Sequence, residues 1–235
     1  HDTQFAIMAS SIRRDYAILS SGTWEILALR LGRFSPSRKA YESGVIIELD
    51  VEKGLWNPQF LMIASAVLEW IRKMLYHGEG YDLMMEEASK IPIGSNDLLF
   101  LPSFVPDSGP TSTLRVPGVI MGLTLKSGRA QIYRAALEGL SYQLRLALEL
   151  LEEAFNLRLE GVTVVGGGSK NILWNMIRAN VSKKKILVGR FMEATVLGAA
   201  LTAFKGIDVF KSFDEALKSL DFKVKEYEPM KDEVE

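Results

Sequence analysis

Two glycine-bearing turns and one carboxylate are the groups in this sequence whose types and spacing point to chemistry. Val164-Val165-Gly166-Gly167-Gly168-Ser169-Lys170-Asn171 reads as a strand handing over to a helix. Glycines at such a junction let the backbone approach a ligand closely, and the helix start exposes unpaired N–H groups, a setting in which a nucleotide lies against bare backbone. The same string also serves simply to close a helix against a strand. It is not the G-x-G-x-x-G pattern, and no acidic residue ends a second strand at the distance a dinucleotide site needs. Ser20-Ser21-Gly22-Thr23 offers hydroxyls and a glycine in a hairpin turn. That is a cradle for a phosphate through N–H and Oγ–H donors, or a plain turn. Asp2 has the chemistry of a general base that takes a proton from a substrate hydroxyl, and equally that of a helix N-cap.

These groups have to be carried by elements. Phe5, Ala6, Met8 and Ala9 behind Asp2-Thr3 predict a short helix, and residues 16–19 and 24–29 are β-rich runs flanking the Ser20–Thr23 turn, a hairpin signal. Residues 45–49 and a stretch near Leu55-Trp56 continue the strands. From residue 60 to 76 the apolar residues Leu61, Ala64, Leu68, Ile71 and Leu75 predict an amphipathic helix, and residues 81–91 a second. Residues 98–101 read as a short buried strand, followed by a Pro-, Ser- and Gly-rich loop from 102 to 118. The longest helix is expected over 131–155. Strands at 161–165 and 185–188 then alternate with helices at 171–181, 193–205 and 213–220. Strands first, then alternation, argues for one α/β domain whose mixed sheet has an antiparallel opening, a parallel continuation and helices on both faces. Trp70, Trp174 and Met176 read as core, and Lys183-Lys184-Lys185 as a solvated helix end.

Composition narrows the partners. The 235 residues carry 28 Lys+Arg against 29 Asp+Glu, with hydrophobics at 48%, an ordinary globular balance with no basic footprint for nucleic acid. No apolar run approaches the ~20 residues of a membrane span. With no Cys, a disulfide framework, thiolate zinc and cysteine nucleophiles are excluded, which fits a cytoplasmic location. The two histidines, His1 and His77, stand too far apart in sequence for a histidine-rich metal site.

The motifs in their order resemble the second half of the FGGY carbohydrate kinases, over nearly the whole chain. They are Asp2-Thr3, Ser21-Gly22-Thr23, Gly122-Leu123 ahead of Tyr133-Arg134-Ala135-Ala136-Leu137-Glu138-Gly139, Gly166–Asn171, and Glu193-Ala194-Thr195 with Gly198-Ala199-Ala200. The segments 1–6, 20–27 and 68–73, with Glu25, look like the branch acting on L-fuculose, while His-Asp-Thr and Ser-Gly-Thr-Trp are also similar to kinases of L-rhamnulose. The resemblance implies an actin/hexokinase-type (ribonuclease H-like) ATPase domain and ATP-dependent phosphorylation of a deoxyketohexose, with Mg²⁺ arriving on the nucleotide. It implies Asp2 as the catalytic base, Gly22 and Thr23 at the terminal phosphates, and Gly167, Gly168 and Asn171 at the adenosine. Ser65 falls beside the nucleotide and His1 near the sugar. Glu138 and Glu193 match motif positions that capping and core-edge roles explain as well as catalysis does. Residues 1–235 are then the C-terminal nucleotide-binding domain. The N-terminal sugar-binding domain is expected to be absent, which accounts for a chain that opens on His1 rather than Met and leaves it half of an enzyme. An isolated half is expected to expose an apolar cleft wall and to self-associate as a homo-oligomer. The rival reading is a stand-alone actin-like nucleotide-binding or assembly module without transfer chemistry.

Overall fold

Tyr16–Ser21 (β1) and Trp24–Ala28 (β2) form the expected hairpin, antiparallel, with Ser21 opposite Glu25. In the computed structural model, which describes every residue except 12, 14, 35, 106, 113–114, 190–192, 221–222 and 232–235, this hairpin lies at the middle of a seven-stranded sheet. Ile46–Leu49 (β3) and Trp56–Ile63 (β4) extend it on one side in antiparallel pairing, so the order there is β3-β4-β2-β1. On the other side Gly161–Val165 (β7) and Lys185–Gly189 (β8) run parallel to β1, and Val224–Tyr227 (β9) closes the edge antiparallel. The antiparallel opening and parallel continuation are as the element order predicted, with an antiparallel edge strand that the short, polar 224–227 segment does not announce.

Alternation along the central strands shows why both faces need a cover. Ala17 and Leu19 of β1 and Val162 and Val164 of β7 pack with Leu144, Leu148 and Leu151 of the 27-residue helix Arg129–Phe155 (α5). Ile18 points the other way, to Ile7 of Thr3–Ser10 (α1), and Val165 meets Ala6 of α1 and Ala194 of Ala194–Gly206 (α7). Strand period two thus divides one apolar run between two helix layers. A Cβ on Gly198 would overlap the Phe5 carbonyl, so α7 seats its backbone directly on α1.

Several expectations are corrected. Residues 60–63 belong to β4, and the helix starts only at Ser65 (Ser65–Leu75, α3). Phe60 and Met62 are buried on one face while Leu61 is exposed, the period of a strand, and the spacing of Leu61 and Ala64 mimics a helix only across the corner at Ala64. Leu99–Leu101 (β5) is outside the main sheet; it pairs only with Val119–Met121 (β6), and Leu99 and Met121 are exposed. Trp174 is core, but Trp70 and Met176 are exposed, Trp70 packing on Phe104 with ring centroids 5.2 Å apart. Lys184 is not a solvated charge: its Nζ pairs with Glu152 and donates to the Leu159 carbonyl. Arg38–Glu42 (α2), Tyr81–Ser89 (α4), Ile172–Ser182 (α6) and Phe213–Lys218 (α8) complete the helices, α2 being unforeseen. Among the described residues no helix is long and apolar enough to cross a membrane.

Glu138 of α5 has a structural task away from the sheet. Gly94, Ser95, Asn96 and Asp97 all have positive φ, a left-handed turn that L-residues adopt at a cost. The Glu138 carboxylate accepts from the Gly94 N–H at 3.2 Å and the Ser95 hydroxyl at 2.8 Å, and pairs with Arg134 Nε at 2.8 Å. Gln131 Nε2 donates to the Ser95 carbonyl at 2.8 Å. A Cβ at Gly122 would stand 2.5 Å from the Asp97 carbonyl, and one at Gly139 would overlap that of Phe100. Glu138 and Gln131 therefore hold this stretch on α5, Gly122 lies against its Asp97 end, and Gly139 seats the following β5.

Candidate nucleotide cavity

The hairpin loop, the start of α3, the start of α4 and the glycine turn before α6 enclose a cavity of about 420 Å³. The hairpin contributes Gly22 and Thr23; α3 contributes Ser65 and Leu68; α4 contributes Tyr81, Asp82 and Met85. Gly167, Gly168, Lys170, Asn171 and Trp174 form the remaining wall. The six residues expected beside a nucleotide, Gly22, Thr23, Ser65, Gly167, Gly168 and Asn171, come together here from segments spread over 150 positions of sequence. Leu68, Tyr81, Asp82, Met85, Lys170 and Trp174 were missed as cavity residues. The α3 and α4 residues carry no motif, and Trp174 is so enclosed that its apolar pattern reads as core alone.

Local chemistry sets each wall. The Thr23 carbonyl accepts from the Ala66 N–H at 3.2 Å, which ties the hairpin loop to the first turn of α3. Residues Gly167–Lys170 form a short 3-10 turn that leads into α6. Gly166 has φ +85° and a Cβ there would lie 2.6 Å from the Ser21 carbonyl, while a Cβ on Gly168 would overlap the Ser21 hydroxyl. Gly167 faces open space. Two of the three glycines thus let the turn sit on the hairpin, and the third leaves backbone bare toward the cavity. Asn171 caps α6, its Oδ1 accepting from the Trp174 N–H at 2.9 Å, while its Nδ2 donates to the Tyr133 hydroxyl at 2.9 Å. Burial raises the Tyr133 pKa, keeping that phenol neutral. The Trp174 indole Nε1–H is buried without a hydrogen-bond partner among the described residues.

At the cavity mouth Tyr81 donates to Glu69 at 2.8 Å, and Arg72 grips the same carboxylate at 2.7 and 2.8 Å. Arg72 first and Tyr81 second hold the Glu69 pKa down at about 2. Burial and Glu69 push the Tyr81 phenol up to about 12.

Beneath the hairpin Arg178 of α6, fully buried, forms an ion pair with Glu25. Its Nη2 also donates to the Ser21 hydroxyl at 2.8 Å, and that hydroxyl donates to Glu25 at 2.7 Å. Burial lowers the Arg178 pKa and Glu25 opposes that shift.

Asp2 and His1 do not line the cavity. Asp2 stands at the start of α1, its side chain 80% exposed, and it makes no side-chain cap; its carboxylate lies 3.5 Å from His1 Nδ1 and 3.5 Å from the Thr3 hydroxyl. Asp2 thus occupies the N-cap position without its side chain capping an N–H, and the carboxylate is open to solvent. Glu193 sits at the start of α7, likewise without a side-chain cap. The exposed apolar side chains Leu99, Val119, Met121, Tyr142 and Leu146 gather on β5, β6 and α5 around a separate groove of about 480 Å³.

Residues 17–207 match the model of the C-terminal domain of the FGGY family of carbohydrate kinases. The chain is 36% identical over 230 residues to L-fuculokinase of Escherichia coli strain K12, which covers 97% of this chain and 47% of that protein. It is 27% identical over 154 residues to xylulose kinase of Bacillus subtilis, covering 66% of this chain and 31% of that protein. The chain spans about half the length of the L-fuculokinases it matches. In structure it overlays Plasmodium falciparum glycerol kinase, solved with ADP, at a TM-score of 0.83 and 22% identity, over 97% of this chain and 46% of that one. The α/β, actin/hexokinase-type ATPase fold expected from the sequence is the fold observed.

Proposed function

We propose, from the premise that this chain belongs to the FGGY family of carbohydrate kinases, that residues 1–235 are the nucleotide-binding, C-terminal domain of an ATP-dependent kinase that converts L-fuculose to L-fuculose 1-phosphate. The observation that carries this reading is the convergence of Gly22, Thr23, Ser65, Gly167, Gly168 and Asn171 on one cavity. In it, Gly22 and Thr23 face the terminal phosphates, and Gly167, Gly168 and Asn171 the adenosine, with Ser65 beside them. The residues suit such a ligand: Gly167 presents backbone to open space at the turn that lines the cavity.

The nucleotide supplies the phosphoryl group and carries Mg²⁺ on its phosphate oxygens. Mg²⁺ in such a site keeps several waters and is held by phosphate oxygens with one or two carboxylates, so the reading calls for no all-protein metal cage. Asp2 takes the proton from the sugar hydroxyl as the sugar oxygen attacks the γ-phosphorus and the bond to the bridging oxygen breaks to release ADP, with His1 beside the sugar, and the domain otherwise contributes positioning and hydrogen-bond donors. The sugar-binding N-terminal domain belongs to the remainder of a longer polypeptide in this reading, and closure of the two excludes water, in the cytoplasm where ATP is available.

The test is phosphoryl transfer by the full-length enzyme from ATP across L-fuculose, L-rhamnulose, xylulose and glycerol. The highest kcat/KM is expected on L-fuculose. A higher value on another acceptor reassigns the substrate, and nucleotide binding without transfer to any acceptor favours the binding-module alternative.

A further inference from the structure

Helix α6 carries two kinds of residue at helical spacing. Asn171 and Trp174 stand on the cavity wall, and Asn175 and Arg178 follow on the turns beneath. The Arg178 guanidinium lies 3.5 Å from the centre of the Trp174 ring and donates to Asn175 Oδ1 at 3.0 Å. Asn175 in turn donates to the Ser169 carbonyl of the glycine turn at 2.7 Å. The other end of the guanidinium grips Ser21 and Glu25, which face each other across the base of the hairpin loop. All four polar residues, Ser21, Glu25, Asn175 and Arg178, are essentially without solvent exposure, and none of them lines the cavity; they reach it through the hairpin, the glycine turn and Trp174. A buried ion pair is a poor source of net stability compared with apolar packing of the same volume, whereas it is directional and fixes geometry.

We propose that Arg178, with Glu25 as its counter-charge, is the positioning residue of the cavity: it sets the spacing and tilt of Gly22 and Thr23 against the Gly167–Asn171 wall. The proposal rests on the nucleotide reading above. It assigns to the pair no contact with nucleotide. Its effect falls most on the phosphate end, because the hairpin hangs on Ser21 and Glu25, whereas the adenosine wall, which Arg178 also touches at Trp174 and through Asn175, is held as well by the Asn171 cap and its bond to Tyr133.

The test compares ADP and adenosine binding by titration calorimetry on the full-length protein and on two variants. Glu25→Gln with Arg178→Gln removes both charges together and leaves no lone buried ion; Ser21→Ala removes only the bridging hydroxyl. Misplacement of the hairpin is expected to raise the Kd for ADP about ten-fold or more in the double variant, with adenosine changed less than about three-fold, and Ser21→Ala to shift the same ratio in the same direction. A merely structural pair lowers the unfolding temperature and leaves the ADP-to-adenosine ratio unchanged; that result overturns the proposal. If the double variant does not fold, the ratio in Ser21→Ala decides. Wild-type protein that binds neither ligand overturns the nucleotide reading itself, which is distinguishable from wild-type binding with unchanged ratios in the variants.

Discussion

Gly168 lies against the Ser21 side chain with no room for a substituent: a β-carbon there would overlap the Ser21 Oγ and come 3.1 Å from its Cβ. The hydroxyl cannot swing aside, because it donates to Glu25 and accepts from Arg178. Gly168→Ala is therefore expected to cost about 1–3 kcal/mol of stability through overpacking. Adding Ser21→Ala should recover part of the loss. Gly167→Ala, into open space, should change stability by less than about 0.5 kcal/mol yet weaken ADP binding. Urea unfolding and ADP titration on the same four proteins separate the two effects.

Asp2 is expected to affect turnover and nothing else. Its exposed carboxylate caps no N–H, so Asp2→Asn should leave the unfolding temperature and ADP affinity unchanged. In the full-length enzyme it should lower kcat by about 100-fold or more, the usual worth of a positioned general base. Near-normal turnover would take the proton-transfer role away from this residue.

The left-handed turn held by Glu138 gives a stability prediction independent of any ligand. Glu138→Gln leaves the buried Arg134 without its counter-charge and weakens the bonds to Gly94 and Ser95, an expected loss of about 2–4 kcal/mol by denaturant titration. Asn96, at φ 49° and ψ 53°, should tolerate Gly within about 0.5 kcal/mol but lose about 1 kcal/mol as Ala. Equal effects of Gly and Ala there would mean the turn is not strained.

Glu69 predicts an acid response. Its carboxyl is held down at about 2 from an ordinary 4.5 by Arg72 and then Tyr81, so the ionised form is favoured by folding. Its contribution is fully present above pH 4.5 and is lost as pH falls toward 2. Melting temperature measured across that window should fall more steeply for the wild type than for Glu69→Gln, and parallel curves would contradict the assignment.

The antiparallel opening and parallel continuation of the main sheet, the long α5 and the glycine turn were legible because period-two and helical apolar patterns are local. The start of α3 was not, because β4 runs into it through four consecutive apolar residues, 60–63, whose facing is decided by the sheet neighbours and not by their own spacing. At the cavity, the hairpin and turn residues were legible from their glycines. Tyr81, Met85 and Trp174 were not, since a wall residue with an apolar side chain looks the same in sequence as one in the core. The Glu25–Arg178 pair was equally hidden: Glu25 stood out only by resemblance, and nothing near it in sequence says that it is buried or names its partner.

That pair joins residues 153 positions apart, and the Ser21 bond spans 157. During synthesis the hairpin leaves the ribosome long before α6, so the Glu25 carboxylate waits, uncompensated, until residue 178 has emerged. Burial of the hairpin base and completion of the cavity are then a single late event, and a nascent chain ending anywhere before α6 has neither.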